Sequence, residues 1–147
     1  MSFTPVRANR TLRFKQLANW VQRFFANPKR KSHMNSVSKS TAPHYTWGNN
    51  CDGWRLLDSA SLSVIHERMP DGTREQKHYH QKAQQFFFIL SGEAKFYFEN
   101  ESVTVKAQQG LHIPAGTVHF IANESAEAIE FLVISEPSTK ADRVEMR

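Results

Sequence analysis

Gly72-Thr-Arg-Glu-Gln-Lys-His78-Tyr-His80-Gln-Lys-Ala-Gln-Gln85-Phe-Phe-Phe-Ile-Leu-Ser-Gly92 is the stretch on which the fold turns. His78 and His80 are two positions apart, so on a β-strand both side chains point to one face and Tyr79, read as a packing residue, points to the other. Gln85 lies an odd number of positions beyond His80. It reaches the same interior only if residues 81–84 form a loop or bulge that resets the alternation. After that reset Phe87 and Ile89 share the inward face of Gln85, while Phe86 and Phe88 face outward. Further on, Pro114-Ala-Gly116-Thr-Val-His119-Phe-Ile-Ala-Asn123 places a tight turn before a third histidine, with Ile121 and Asn123 on its side of the strand. Imidazole is the commonest protein ligand for transition metals, and three of them close a facial set.

Short strand patterns continue on both sides of this stretch. They cover 54–57, 62–69, 84–90, 94–99, 102–107, 111–113, 118–122 and 128–135. Turn signals punctuate them, among them Pro70-Asp71-Gly72, Ser91-Gly92-Glu93, Gln109-Gly110 and Asn123-Glu124-Ser125. No intervening segment is long enough for a good helix, so the chain is all-β, an antiparallel sandwich or barrel such as a jelly roll.

Both motifs resemble those of the cupin superfamily. Its first motif is Gly, five residues, His-x-His, three or four residues, Glu, six residues, Gly. Gly72, His78, His80 and Gly92 match it, and Gln85 stands where the glutamate belongs; Gln84 is a less well-spaced alternative. The second motif is met by Pro114, Gly116, His119 and Asn123, although its leading Gly is replaced by Gln108. The resemblance covers about residues 54–136. It implies a single small jelly-roll β-barrel whose mouth holds a divalent transition metal (zinc, nickel, iron or manganese) on His78, His80 and His119, with Gln85 as the fourth ligand. It also implies a homodimer. An apolar outer surface of Phe86 and Phe88, with Phe96 and Phe98 nearby, is expected to be covered by a second sheet or subunit.

Replacing a carboxylate by Gln85 leaves a divalent site about one charge more positive. That favours anionic ligands and Lewis-acid chemistry over oxygen activation. The resemblance extends to cupins with His/His/Gln/His ligation that act on unsaturated uronate sugars. The residues leave three readings open. The first is a metal-dependent isomerase or lyase on a small anionic or carbonyl-bearing molecule, sugar acids included. The others are a non-catalytic binding or sensory module and a non-haem dioxygenase. Catalytic candidates are Glu67, His66 and Arg68 on the 62–69 strand, where periodicity does not choose which face points inward. His112 reads as a rim or structural residue.

Charge divides the chain. Residues 1–51 hold nine Lys/Arg and no Asp or Glu, whereas residues 52–147 hold ten Lys/Arg against fourteen acidic residues. The expected organisation is therefore a basic extension and linker over 1–51 and a barrel over 52–147. The net charge of +5 belongs to the extension and gives the barrel no nucleic-acid signature. Leu12, Leu17, Trp20, Val21, Phe24 and Phe25 recur at roughly helical spacing in that extension, which reads as a helical or a disordered arm, or as sequence upstream of a start at Met34. No run of about 18 apolar residues spans a membrane. The lone Cys51 excludes an internal disulfide and fits a reducing, cytoplasmic setting.

Overall fold

The computed structural model describes residues 34–147. The helical reading of residues 12–25 and the question of a start at Met34 concern residues 1–33 or their junction, and the arm itself lies outside the described residues. Ser36–Arg147 form one compact unit made of strands and turns alone. Eleven strands follow in chain order: β1 His44–Trp47, β2 Cys51–Asp58, β3 Ser63–Met69, β4 His78–His80, β5 Gln84–Ser91, β6 Glu93–Tyr97, β7 Ser102–Lys106, β8 Gly110–Ile113, β9 Phe120–Ala122, β10 Ile129–Glu136 and β11 Arg143–Glu145. Every pairing is antiparallel. The sheets run β1-β2-β3-β10-β5-β8, β7-β6-β9 and β11-β4.

Period-two patterning builds these sheets. In β10, Ile129, Phe131, Val133 and Ser135 are buried while Glu130, Leu132 and Ile134 alternate on the half-buried outer face. In β5, Gln85, Phe87 and Ile89 point in and Phe86 points out, 40% exposed. The core joins Ile65, Met69, Phe87, Ile89, Phe96, Ile113, Ile121, Ile129, Phe131 and Val133. Each such side chain contributes about 1.5–3 kcal/mol by leaving water.

The eight strands expected from the sequence all form, with ends moved by a few residues at most. Three differences matter. The stretch read as a linker up to residue 51 contributes β1, which pairs with β2 through Tyr45↔Gly53 and Trp47↔Cys51. Residues after 136, left unread by the motifs, supply β11. Phe96 does not join an outer apolar surface: it is fully buried and meets Phe87 edge-on, with Phe98 packed against the same core. The reason is register, since Phe96 pairs with Val103 and Ile121 across a sheet whose inner face is closed by β5.

Candidate functional site

His78 and His119 are brought together by the backbone. They lie directly opposite one another, His78 N–H donating to the His119 carbonyl at 3.0 Å and His119 N–H to the His78 carbonyl at 2.9 Å. The ring centroids are 4.6 Å apart, and the His80 ring stands 5.0 Å from His78 and 6.4 Å from His119. Gly116, at φ +78°, makes the turn that leads into His119, and its N–H donates to the His80 carbonyl at 2.7 Å. The bends at Gln81 and Lys82 supply the expected reset, so that Gln85 enters the interior with 7% exposure.

Hydrogen bonding sets the state of the rings. His78 Nδ1 donates to the Gln76 carbonyl at 2.8 Å and His119 Nδ1 to the Thr117 carbonyl at 2.8 Å. A carbonyl only accepts, so each ring keeps its lone pair on Nε2. Burial, helped by the Arg143 charge, pushes His78 down to about 3. Burial and the neighbouring His78 push His80 down to about 4, and burial lowers His119 as well. The three imidazoles are therefore neutral at physiological pH, the form that binds metals.

Four buried polar atoms around them have no hydrogen-bond partner: His80 Nδ1, His119 Nε2, Gln85 Oε1 and Glu75 Oε2. Gln85 makes only a long contact, 3.5 Å from its Nε2 to Ser135 Oγ. The acceptors among them, Gln85 Oε1, Glu75 Oε2 and His119 Nε2, lie beside neutral imidazoles and are what a cation would satisfy, so the donor chemistry fits a divalent metal. The geometry is not closed: among the described residues no three His, Cys, Asp or Glu side chains are arranged to hold an ion as they stand.

A cavity of about 480 Å³ opens beside the cluster, and His80 and Gln85 line it. His78 and His119 do not line it; their ring centroids lie 5.0 and 6.4 Å from that of His80. The wall made by β1, β2 and β3 adds Tyr45, Trp47, Arg55 and Glu67. The facing wall brings Glu75 together with Arg143 and Glu145 of β11. Gly53 is required here, because a Cβ at that position would overlap the Tyr45 ring, which lies across the strand. Tyr45 O–H then donates to Glu67 Oε1 at 3.0 Å. Desolvation and the neighbouring Glu75 carboxylate push the Glu67 carboxyl up to about 8, against the lowering effect of Tyr45. Arg143 holds Glu75 at 3.1 Å.

The inward face of β3 is thus the Ser63/Ile65/Glu67/Met69 face. His66 and Arg68 point to the other side: His66 Nε2 meets Glu130 at 2.7 Å and Arg68 pairs with Asp52 at 3.6 Å. The structure brings neither to the cavity. His112 bonds Gln84 at 2.9 Å on the outer face, as a structural residue would, and Gln84 is exposed and directed away from the histidines. Asn123 is fully buried and staples a turn, its Nδ2 donating to the Met69, Pro70 and Glu127 carbonyls.

Sequence reasoning missed Tyr45, Trp47, Arg55, Glu75 and Arg143. The alternation in His44-Tyr-Thr-Trp47 was a readable strand signal for the first two. Three-residue β11 offered none.

Residues 65–135 match the cupin domain family, and the antiparallel barrel around them is a cupin barrel. The chain therefore carries a cupin domain over these residues. It is 36% identical over 66 residues to an uncharacterized protein of Aquifex aeolicus (strain VF5), which covers 45% of this chain, and it spans about half the length (54%) of that relative. Among solved structures it resembles a predicted oxalate decarboxylase from Thermotoga maritima (TM-score 0.64, 21% identity, 69% of this chain and 98% of that one). It also resembles a cupin-superfamily sugar phosphate isomerase from Silicibacter pomeroyi (TM-score 0.60, 17% identity, 71% and 76%). These likenesses establish the fold.

Proposed function

We propose that this cupin is a metal-dependent enzyme of isomerase or lyase type acting on a small anionic or carbonyl-bearing molecule. In this reading His78, His80, His119 and Gln85 hold a divalent transition metal: zinc, nickel, iron or manganese. The observation that supports it is the set of orphaned atoms, His80 Nδ1, His119 Nε2 and Gln85 Oε1, buried among neutral imidazoles. When bound, such an ion supplies polarisation of a ligand oxygen. The chain's own contribution is a closed set of tasks. The backbone carbonyls of Gln76 and Thr117 orient two rings. Phe87 and Val133 exclude water from the cavity floor. Glu67, carrying its proton near neutral pH, is the lining group able to give and take a proton. A sugar phosphate isomerase and a predicted oxalate decarboxylase share this barrel at low identity, so the reaction is chosen by the cavity and not by the fold.

A second reading is a non-catalytic binding or sensory module. It is favoured by the lack, among the described residues, of three side chains already arranged around an ion. Metal analysis of the full chain after reconstitution separates the two. About one equivalent of zinc or nickel supports Lewis-acid chemistry, iron with oxygen uptake turns the reading to a dioxygenase, and less than about a tenth of an equivalent ends the metal reading. In a metal-binding protein, Gln85→Glu tightens the metal roughly tenfold by adding an anionic ligand, and weakens binding of anionic ligands. Stronger anion binding by this variant would contradict the charge argument. The buried, unpaired Cys51 suits a cytoplasmic protein, and the exposed Phe86 face suits a homodimer.

A further inference from the structure

The unpartnered polar groups of the cavity are of two kinds, and they occupy different walls. Beside the histidines they are acceptors, Gln85 Oε1 and Glu75 Oε2. On the wall made by β1 and β2 they are donors. Trp47 Nε1 is buried with no partner, and the Trp47 side chain lines the cavity. Arg55 lines the same wall with its guanidinium 4.7 Å over the Tyr45 ring. Ion pairs engage Arg68 with Asp52 and Arg143 with Glu75 and Glu145, whereas no carboxylate lies within ion-pair distance of Arg55 or of the cavity-lining Arg74 among the described residues.

We propose that this wall is an oxyanion subsite, in which the Arg55 guanidinium and the Trp47 indole N–H bind the carboxylate or phosphoryl group of a ligand whose other end lies at the histidine cluster.

The physical argument is one of matching. A buried N–H left unpaired loses its hydration without compensation, and an accepting ligand oxygen restores the lost hydrogen bond. A guanidinium stacked on an aromatic ring keeps its outer N–H edge free for the fork geometry that oxyanions fit. Tyr45 serves both ends of the wall, as platform for Arg55 and as donor to Glu67. Glu67 does not oppose an anion there, since desolvation and Glu75 hold its carboxyl in the neutral form up to about pH 8. Tyr45, Trp47 and Arg55 all precede residue 65, outside the segment that matches the cupin domain family.

The inference deepens the proposed function, because it takes the same cavity as the ligand site. The test is calorimetric titration of the full-length protein with succinate and, separately, with inorganic phosphate, in metal-free and metal-loaded forms. Binding of either anion is expected, and the tighter of the two identifies the group. Arg55→Ala weakens it about tenfold or more, Arg55→Lys recovers part of that loss, and the exposed Lys106→Ala changes nothing. The indole N–H resonance absent from Trp47→Phe moves on anion addition in the wild type, a readout that a merely structural role would leave still. No binding of either anion by about 20 mM, or equal binding by Arg55→Ala, overturns the proposal. Anion binding that survives in a protein unable to take up metal leaves the subsite standing and ends the metal reading instead.

Discussion

Glu67 shows how one side chain's surroundings set its chemistry. Its neighbours in sequence, His66 and Arg68, meet Glu130 and Asp52 in ordinary polar pairs on the far face of the sheet. Glu67 instead points inward, where burial and Glu75 raise its carboxyl from 4.5 to about 8. A raised carboxyl means that between these two values the folded protein binds more protons than the unfolded chain. Stability contributed by the protonated form is therefore lost as pH rises from 4.5 towards 8. Glu67→Gln removes that dependence. Urea unfolding at pH 5, 6.5 and 8 is expected to show a flatter stability profile in the variant, with its relative advantage largest at pH 8. An unchanged slope would mean that Glu67 is ionised in the native barrel. His78 and His119 illustrate the complementary case: backbone carbonyls select the tautomer and burial removes the proton, so both rings offer an Nε2 lone pair.

At the scale of elements, β11 and the turn before it complete the site. β4 is only three residues long and is held on one edge by the His78–His119 pairing and on the other by β11, with Arg143↔His80 and Glu145↔His78 in register. Asp142 fastens the loop between His80 and Gln85. Its carboxylate accepts from Ala83 N–H at 2.8 Å and from Lys82 N–H at 3.1 Å, while its carbonyl accepts from Gln81 N–H at 3.2 Å. Desolvation would raise this carboxyl, but the Ala83 and Lys82 amides outweigh it and hold it below 3.8. The bonds are present above that pH and are lost as pH falls through the native value. Asp142→Ala is expected to cost about 2–3 kcal/mol at pH 7, to flatten the acid limb of the stability curve, and to loosen Gln85 relative to the histidines. Denaturant titrations between pH 7 and 2.5 check the first two, and a stability unchanged at pH 7 would show that the loop is held by other means.

For the whole molecule, assembly is tested on the outer face of the six-stranded sheet. Phe86 is 40% exposed and lies across Gly110, where a Cβ would overlap its ring, and Leu57 is 44% exposed. If a second copy covers this face, Phe86→Asp yields a monomer by light scattering without loss of fold, whereas an unchanged mass would exclude Phe86 from the interface. Of the two side chains placed near this surface by sequence pattern, Phe96 belongs to the core and Phe98 packs against it, because strand pairing and not spacing decides which face closes. β1, in the stretch read as a linker, is a strand by virtue of its ladder with β2. The sequence by itself determined the jelly-roll barrel, the inward run of Gln85, Phe87 and Ile89, and the reset loop between His80 and Gln85. Those features rest on local alternation and turn chemistry, which short segments express alone. Only the tertiary structure decided that Glu67 faces in and His66 and Arg68 face out. It alone set β1 and β11 around the cavity and left acceptors on one wall and donors on the other. Those outcomes depend on register and on contacts between residues far apart in the chain, which no local pattern encodes.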